Sequence, residues 1–209
     1  MDDNKRFWQR FAKFYNSFME KGSRQLYEQI CSRIAPQLNR QMNVLELACG
    51  SGQLSFRLAS KVRQWEATDF SENMIAEAKK QGGSSRLHFS VQDATNLPYV
   101  PESFDAVVIA NALHIMPNPE KALEEIRRVL KAGGLLFAPT FIHGKGAGFR
   151  LRSRMLELAG FRVYSKWSKE EFEAYISRHG FIVTQAENLG HSIAPLCYLA
   201  AQNRSDEKV

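Results

Sequence analysis

The chain has 209 residues, of which 44% are hydrophobic and 24% charged, and its formal net charge is +6. Such a length and balance fit one soluble domain with an ample core, and no apolar run approaches the ~20 residues of a membrane-spanning helix. The N-terminus is charged and has no apolar signal-peptide core, and three well-separated cysteines (Cys31, Cys49 and Cys197) argue against a disulfide framework and for a reducing, cytoplasmic setting.

Residues 1–38 read as a helical cap. Phe7, Phe11, Phe14 and Phe18 fall on one helical face, with Lys5, Arg6, Arg10 and Lys13 elsewhere. Gly22 and Ser23 interrupt, and Leu26, Ile30 and Ile34 resume a helix that Pro36 ends. Strands and helices then alternate. The pattern predicts strands at 43–48, 64–68, 87–92, 106–110 and 135–141, and helices at 53–60, 71–80 and 119–130. Ser71 is placed to cap the second of these helices, and Pro119 suits the start of the third. The 106–110 run is apolar without alternation, as a central parallel strand should be. This β-α-β-α order predicts a parallel sheet with helices on both faces. Later come helices at 149–158 and 169–179, the second capped by Ser168, then strands at 181–187 and 197–200. The whole reads as one domain over 1–201, with 142–168 as a lid or substrate insertion and 202–209 as a frayed, disordered tail.

The chemistry concentrates in the turn after the first strand. Gly50 and Gly52 permit backbone conformations closed to larger residues, and the following helix offers free N–H groups. A dinucleotide fingerprint would need a third glycine where Ser55 stands. Glu46, at the end of the first strand, would repel a pyrophosphate and suit a cofactor with a cationic group. Asp69, ending the second strand, can accept hydrogen bonds from two ribose hydroxyls. Phe70 and Met74 follow it, either against an adenine face or as ordinary core. Asp93, in the Gln92-Asp93-Ala94 segment after the third strand, can accept from an exocyclic amine.

Taken together, these pieces resemble the small, single-domain, class I S-adenosylmethionine-dependent methyltransferases, closest to the ubiquinone/menaquinone-biosynthesis-like (type 11) group. The resemblance covers roughly residues 40–140. It rests on Glu46-Leu47-Ala48-Cys49-Gly50-Ser51-Gly52, on Thr68 to Met74, on Gln92-Asp93-Ala94, on Phe104 to Val108 and on Leu130 to Gly134. It implies a doubly wound, Rossmann-like, seven-stranded and mostly parallel sheet with a C-terminal antiparallel hairpin. It also implies S-adenosyl-L-methionine as cofactor and S-adenosyl-L-homocysteine as product.

By the same resemblance, Glu46 neighbours the methionine amino end and Ala48, Cys49, Gly50 and Gly52 form the floor of the site. Asp69 with Phe70 and Met74 holds the ribose and adenine, Gln92, Asp93 and Ala94 frame the adenine amine, and Asn111 lies near the reacting methyl. Tyr15, from the N-terminal helix, closes over the cofactor or packs on the sheet. The family's first turn glycine is Ala48 here. In-line methyl transfer needs alignment and exclusion of water more than an acid or base. His114 is the candidate base, with His143 second; the alternative is that His114 shapes the pocket.

The expected partner is a small-molecule acceptor: a quinone precursor, lipid headgroup, amine or phenol. No CxxC or CxxH pair is present, so no metal is expected. The basic stretch Lys145, Arg150, Arg152, Arg154, Arg162, Lys166 and Lys169 leaves an RNA methyltransferase as an alternative. Against nucleic acid stands Asn111-Ala112-Leu113-His114, where amino-directed nucleic-acid enzymes carry a proline-rich motif. A basic amphipathic N-terminal helix also permits peripheral membrane contact, and a non-catalytic cofactor-binding module remains open. Oligomeric state is not legible.

Overall fold

The structure is a computed structural model that describes residues 24–143, 162–189 and 195–204. Tyr15 and the aromatic stripe of the N-terminal cap, the 149–158 helix and most of the expected lid lie outside those residues.

The elements in order are α1 (Arg24–Ile34), β1 (Asn43–Leu47), α2 (Ser55–Leu58), β2 (Gln64–Asp69), α3 (Glu72–Lys80), β3 (Leu87–Val91), β4 (Phe104–Ile109), α4 (Pro119–Val129), β5 (Leu130–Phe137), β6 (Thr140–Phe141), α5 (Lys169–Arg178), β7 (Phe181–Leu189) and β8 (Leu196–Asn203). Short 3-10 turns occupy Ala35–Gln37, Ala59–Lys61 and Leu113–Ile115. Strands β3, β2, β1, β4 and β5 lie side by side and parallel. Beyond β5, β8 runs antiparallel to both β5 and β7. The chain winds outward from β1 in both directions, so the carboxyl ends of β1 and β4 flank the topological switch point where such sheets bind ligands.

The doubly wound, mostly parallel architecture with an antiparallel C-terminal hairpin is as expected, with one change in strand count. The single strand expected at 135–141 is two, β5 and β6, which follow one line along β8. Between them Ala138 still donates its N–H to the Leu199 carbonyl at 2.9 Å, but Pro139 has no N–H to give. The strand also starts earlier. Helix α4 stops at Val129 and Leu130 is already extended, so the glycines at 133 and 134 lie inside β5 and not in a loop. The helix expected at 53–60 is one α-turn followed by a 3-10 turn.

Each sheet face has its own core. One packs Val44, Trp65, Ala67, Phe89 and Val108 against Tyr27, Ile30 and Ile34 of α1 and Ile75 and Ala78 of α3. The other packs Leu45, Leu47, Val107 and Ile109 against Leu123 and Ile126 of α4 and Phe172 and Ile176 of α5. Burial on both faces explains why the central strands lack alternation. Ser71 caps α3 by accepting the Met74 N–H at 3.3 Å, and Ser168 forms a full capping box with Glu171 on α5.

Residues 202 and 203, expected in the tail, belong instead to β8, which continues through Asn203. The Asn203 carboxamide nitrogen lies 3.2 Å from the carbonyls of Arg127, Leu130 and Lys131. A side chain from the last strand therefore satisfies carbonyls at the junction of α4 and β5.

Among the described residues no helix is long and apolar enough to cross a membrane. No three His, Cys, Asp or Glu side chains there are grouped to hold a metal ion.

Candidate active site

Strand β1 delivers Glu46 and then turns sharply. Ala48, Gly50 and Gly52 all take left-handed backbone, with φ of 52°, 56° and 88°. At Gly52 the constraint is also spatial: a Cβ would sit 2.7 Å from the Phe56 ring and 3.1 Å from Phe89. The missing side chain at Gly52 is thus filled by protein. Cys49 is buried; its N–H bonds the Thr68 carbonyl at 2.9 Å, and burial pushes its thiol well above the ordinary range. That thiol is inert, in keeping with a structural place in the turn. Alanine in the left-handed region is strained by roughly 1–2 kcal/mol relative to the right-handed one, and glycine removes that cost. Ala48→Gly should therefore leave stability unchanged or raise it by up to about 1 kcal/mol, read as the midpoint of urea unfolding. A loss above that size would mean that the Ala48 methyl has a packing role outweighing the strain.

The Glu46 carboxylate is almost wholly enclosed, at 2% exposure. Its Oε2 accepts from the Ser55 hydroxyl and from the Trp65 indole N–H, the latter at 2.8 Å. Neither partner is a cation. Burial pushes this carboxyl up to about 7, against the pull of the two hydrogen bonds.

Asp69 closes β2 in the same manner. Its Oδ2 accepts the Gly50 N–H and its Oδ1 the Ser71 N–H, both at 2.9 Å. It is 5% exposed, and burial pushes it up to about 6. The carboxylate thus stitches the glycine turn to the start of α3. Phe70 is half-buried, whereas Met74 is closed off at 1% exposure, the core placement weighed as its alternative. At the next strand end, Gln92 donates its backbone N–H to the Asp69 carbonyl at 3.1 Å. Asp93 is exposed, with Oδ1 accepting from the Thr95 N–H and hydroxyl, each at 2.8 Å. Ala94 is buried.

Past β4, Asn111 is held in left-handed backbone at φ 56°. Its N–H bonds the Pro139 carbonyl at 2.8 Å, while its buried Oδ1 has no partner among the described residues. His114 is buried on the following 3-10 turn. Its Nδ1 lies 2.9 Å from the Thr140 hydroxyl, and burial lowers its imidazole to about 4. The His114 carbonyl accepts the N–H groups of Tyr164 and Ser165 at 2.9 and 3.1 Å. His143, exposed, gives its N–H to the Trp167 carbonyl at 2.7 Å. The two described ends of the 142–168 insertion are thus tied to each other, and the second of them is tied to His114.

Sequence reasoning singled out the acids but missed their holders, Ser55 and Trp65, and the Thr140 partner of His114. One signal was available: a tryptophan beginning a buried strand needs an acceptor for its N–H.

Residues 45–138 match a protein-family model described as a methyltransferase domain. Over that stretch the chain is similar to methyltransferase domains. Within the matched stretch lie all the cofactor residues expected from the sequence except Tyr15. The domain is 38% identical over 121 residues to a demethylmenaquinone methyltransferase of Clavibacter sepedonicus, a match covering 57% of this chain and 49% of that protein. It is 33% identical over 145 residues to a ubiquinone/menaquinone biosynthesis C-methyltransferase of Rickettsia felis, covering 65% and 58%. The chain thus spans about half the length of these relatives. In fold it matches a chain from the solved complex of the Haloferax volcanii Trm112 methyltransferase activator with a methyltransferase. That match has a TM-score of 0.82 at 18% identity and covers 95% of this chain and 98% of the other.

The donor set of the site fits S-adenosylmethionine, the cofactor that the resemblance implies. Two buried carboxylates stand at the ends of β1 and β2, and neither forms an ion pair among the described residues. Uncompensated buried charge is costly. A cationic ligand relieves that cost, whereas a phosphate group adds to it. The orphaned Asn111 oxygen is a further acceptor awaiting a donor.

Proposed function

We propose that this domain transfers a methyl group from S-adenosylmethionine to a small-molecule acceptor, and that the acceptor is a quinone precursor of the kind named for its relatives. The cofactor half rests on one observation: a pair of enclosed carboxylates with no cation beside them among the described residues. The acceptor half rests on the 38% and 33% identities to quinone-biosynthesis methyltransferases.

Bound there, S-adenosylmethionine supplies a methyl already activated by a positively charged sulfur. Glu46 opposes the cationic amino-acid end. Asp69 accepts from the ribose hydroxyls on lone pairs that its two backbone partners leave open, and Asp93 accepts from the adenine amine. The Asn111 oxygen takes a donor at the boundary between cofactor and acceptor. Holding both reactants in line, away from water, supplies most of the rate gain open to such a site.

His114 acts on the acceptor side. An imidazole lowered to about 4 is neutral at working pH and a poor match for a general base. Its bonds to Thr140, Tyr164 and Ser165 instead fit it to hold the acceptor wall.

The deciding experiment measures S-adenosylmethionine binding by calorimetry, then screens quinone precursors, amino-headgroup lipids, amines and phenols for release of S-adenosylhomocysteine. Turnover on a quinone precursor is the expected result; absence of cofactor binding would overturn the reading. In the same assay, His114→Asn should lower kcat at least about tenfold, the range of a lost positioning contact, with the cofactor Kd within about twofold of wild type. Unchanged turnover would remove His114 from the reaction.

A further inference from the structure

We propose that Trp65 is a positioning residue for the cationic end of the cofactor, acting through Glu46, which its indole N–H holds in the ionised, receptive form. This rests on the cofactor reading above and adds to it the residue that tunes the affinity.

Trp65 is fully buried, inside the core beneath α1 and α3. A core tryptophan commonly donates to a main-chain carbonyl or to water; this one donates to a carboxylate oxygen, at 2.8 Å. Ser55, opening α2, donates to the same oxygen. Hydrogen bonds to the charged form of an acid favour that form, and burial opposes it. The balance places Glu46 at about 7, where a modest change decides whether the carboxylate is present.

The surrounding groups do not do this work. On β2, Asp69 adds like charge, which disfavours ionisation of Glu46. The Cys49 thiol in the turn and the Cys31 thiol on α1, the latter pushed to about 11, stay neutral. Arg57 on α2 donates to the carbonyl and side chain of Gln53, Glu28 on α1 pairs with exposed Arg24, and Glu66 on β2 accepts from His88, Ser90 and Tyr99. Trp65 and Ser55 are the donors that keep Glu46 charged.

A cationic cofactor then binds the ionised form best. Affinity should rise with pH through the neutral range, and binding at the acid end should release a proton. Trp65→Phe keeps an aromatic ring in the core and deletes the donor. Loss of that bond moves the Glu46 titration upward by about one pH unit, equivalent to a tenfold change in the ionised fraction at low pH.

The experiment is S-adenosylmethionine binding by calorimetry between pH 6 and pH 8, for wild type, Trp65→Phe and Glu46→Gln, with thermal unfolding of each variant as the control on folding. The expected ratio of Trp65→Phe to wild-type Kd is about tenfold at pH 6, narrowing to about twofold at pH 8. Glu46→Gln should lose the limb near pH 7 and retain the lower one from Asp69. A ratio that stays constant across pH would show the indole to be core filler and overturn the proposal. Should Trp65→Phe not fold, Ser55→Ala removes the other donor and must show the same narrowing ratio. Wild-type binding that is independent of pH refutes the linkage and leaves the cofactor reading standing. No wild-type binding at any pH takes both down.

Discussion

Asp69→Asn should weaken S-adenosylmethionine binding about a hundredfold or more while changing thermal stability little. The two oxygens of Asp69 accept from Gly50 and Ser71 separately. Asparagine has one acceptor oxygen, so one of those N–H groups must face the carboxamide NH₂, donor against donor. The glycine turn then loses its tie to α3, and the ribose loses its charged acceptor. Hydrogen bonds to charged groups contribute about 1.5–3 kcal/mol each, so two lost bonds exceed a hundredfold in affinity. Stability is partly protected, because the substitution also removes a buried charge that burial has already raised to about 6. Calorimetry at pH 7.5 with a parallel thermal melt separates the two effects. A Kd within threefold of wild type would mean that the ribose is not held at Asp69.

What could be read from the sequence was what depends on neighbours along the chain. Ser71 and Ser168 cap helices because capping is a contact across three residues, visible in local order. The acids at 46, 69 and 93 were legible because each stands at or just after the end of an expected strand. The Trp65–Glu46 bond was not, since it requires knowing that both side chains point to the same face of two adjacent parallel strands. The break at Pro139 was visible as a proline, yet its meaning depends on β8, a strand more than fifty residues later along the chain. Asn203 read as part of a polar tail, because the helix whose carbonyls it satisfies is likewise distant in sequence. His114 was found as a loop histidine, but its low titration follows from burial, which the motif does not encode.

The same burial makes the site costly to the empty protein. Glu46→Gln should stabilise the ligand-free protein at pH 8 by about 3–4 kcal/mol while impairing cofactor binding. The folded-state titration of Glu46 is raised to about 7, above its unfolded value near 4.3. Below the unfolded value the group is protonated in both states and carries no penalty. As pH rises from there through about 7, the unfolded chain ionises freely while the folded protein must ionise a buried carboxyl, so stability falls across that window and levels off above it. Glutamine keeps an oxygen for the Ser55 and Trp65 donors and never ionises, so the loss disappears. Asp69 acts in the same direction over a lower window, ending near 6. His114 acts oppositely: its folded value of about 4 lies below the unfolded one, so its contribution is present above about 6.5 and is lost as pH falls toward 4. Urea unfolding at pH 4 and pH 8 should therefore show the glutamine variant more stable than wild type at the higher pH and nearly equal at the lower. Saturating S-adenosylmethionine should reverse the order at pH 8, because ligand stabilises the protein that binds it more tightly. A glutamine variant less stable than wild type at pH 8 without ligand would show that the Glu46 charge is already compensated in the empty protein. Preserving that uncompensated charge is the cost of keeping the site ready for a cation, the trade of stability for function expected where a binding site is built from buried acids.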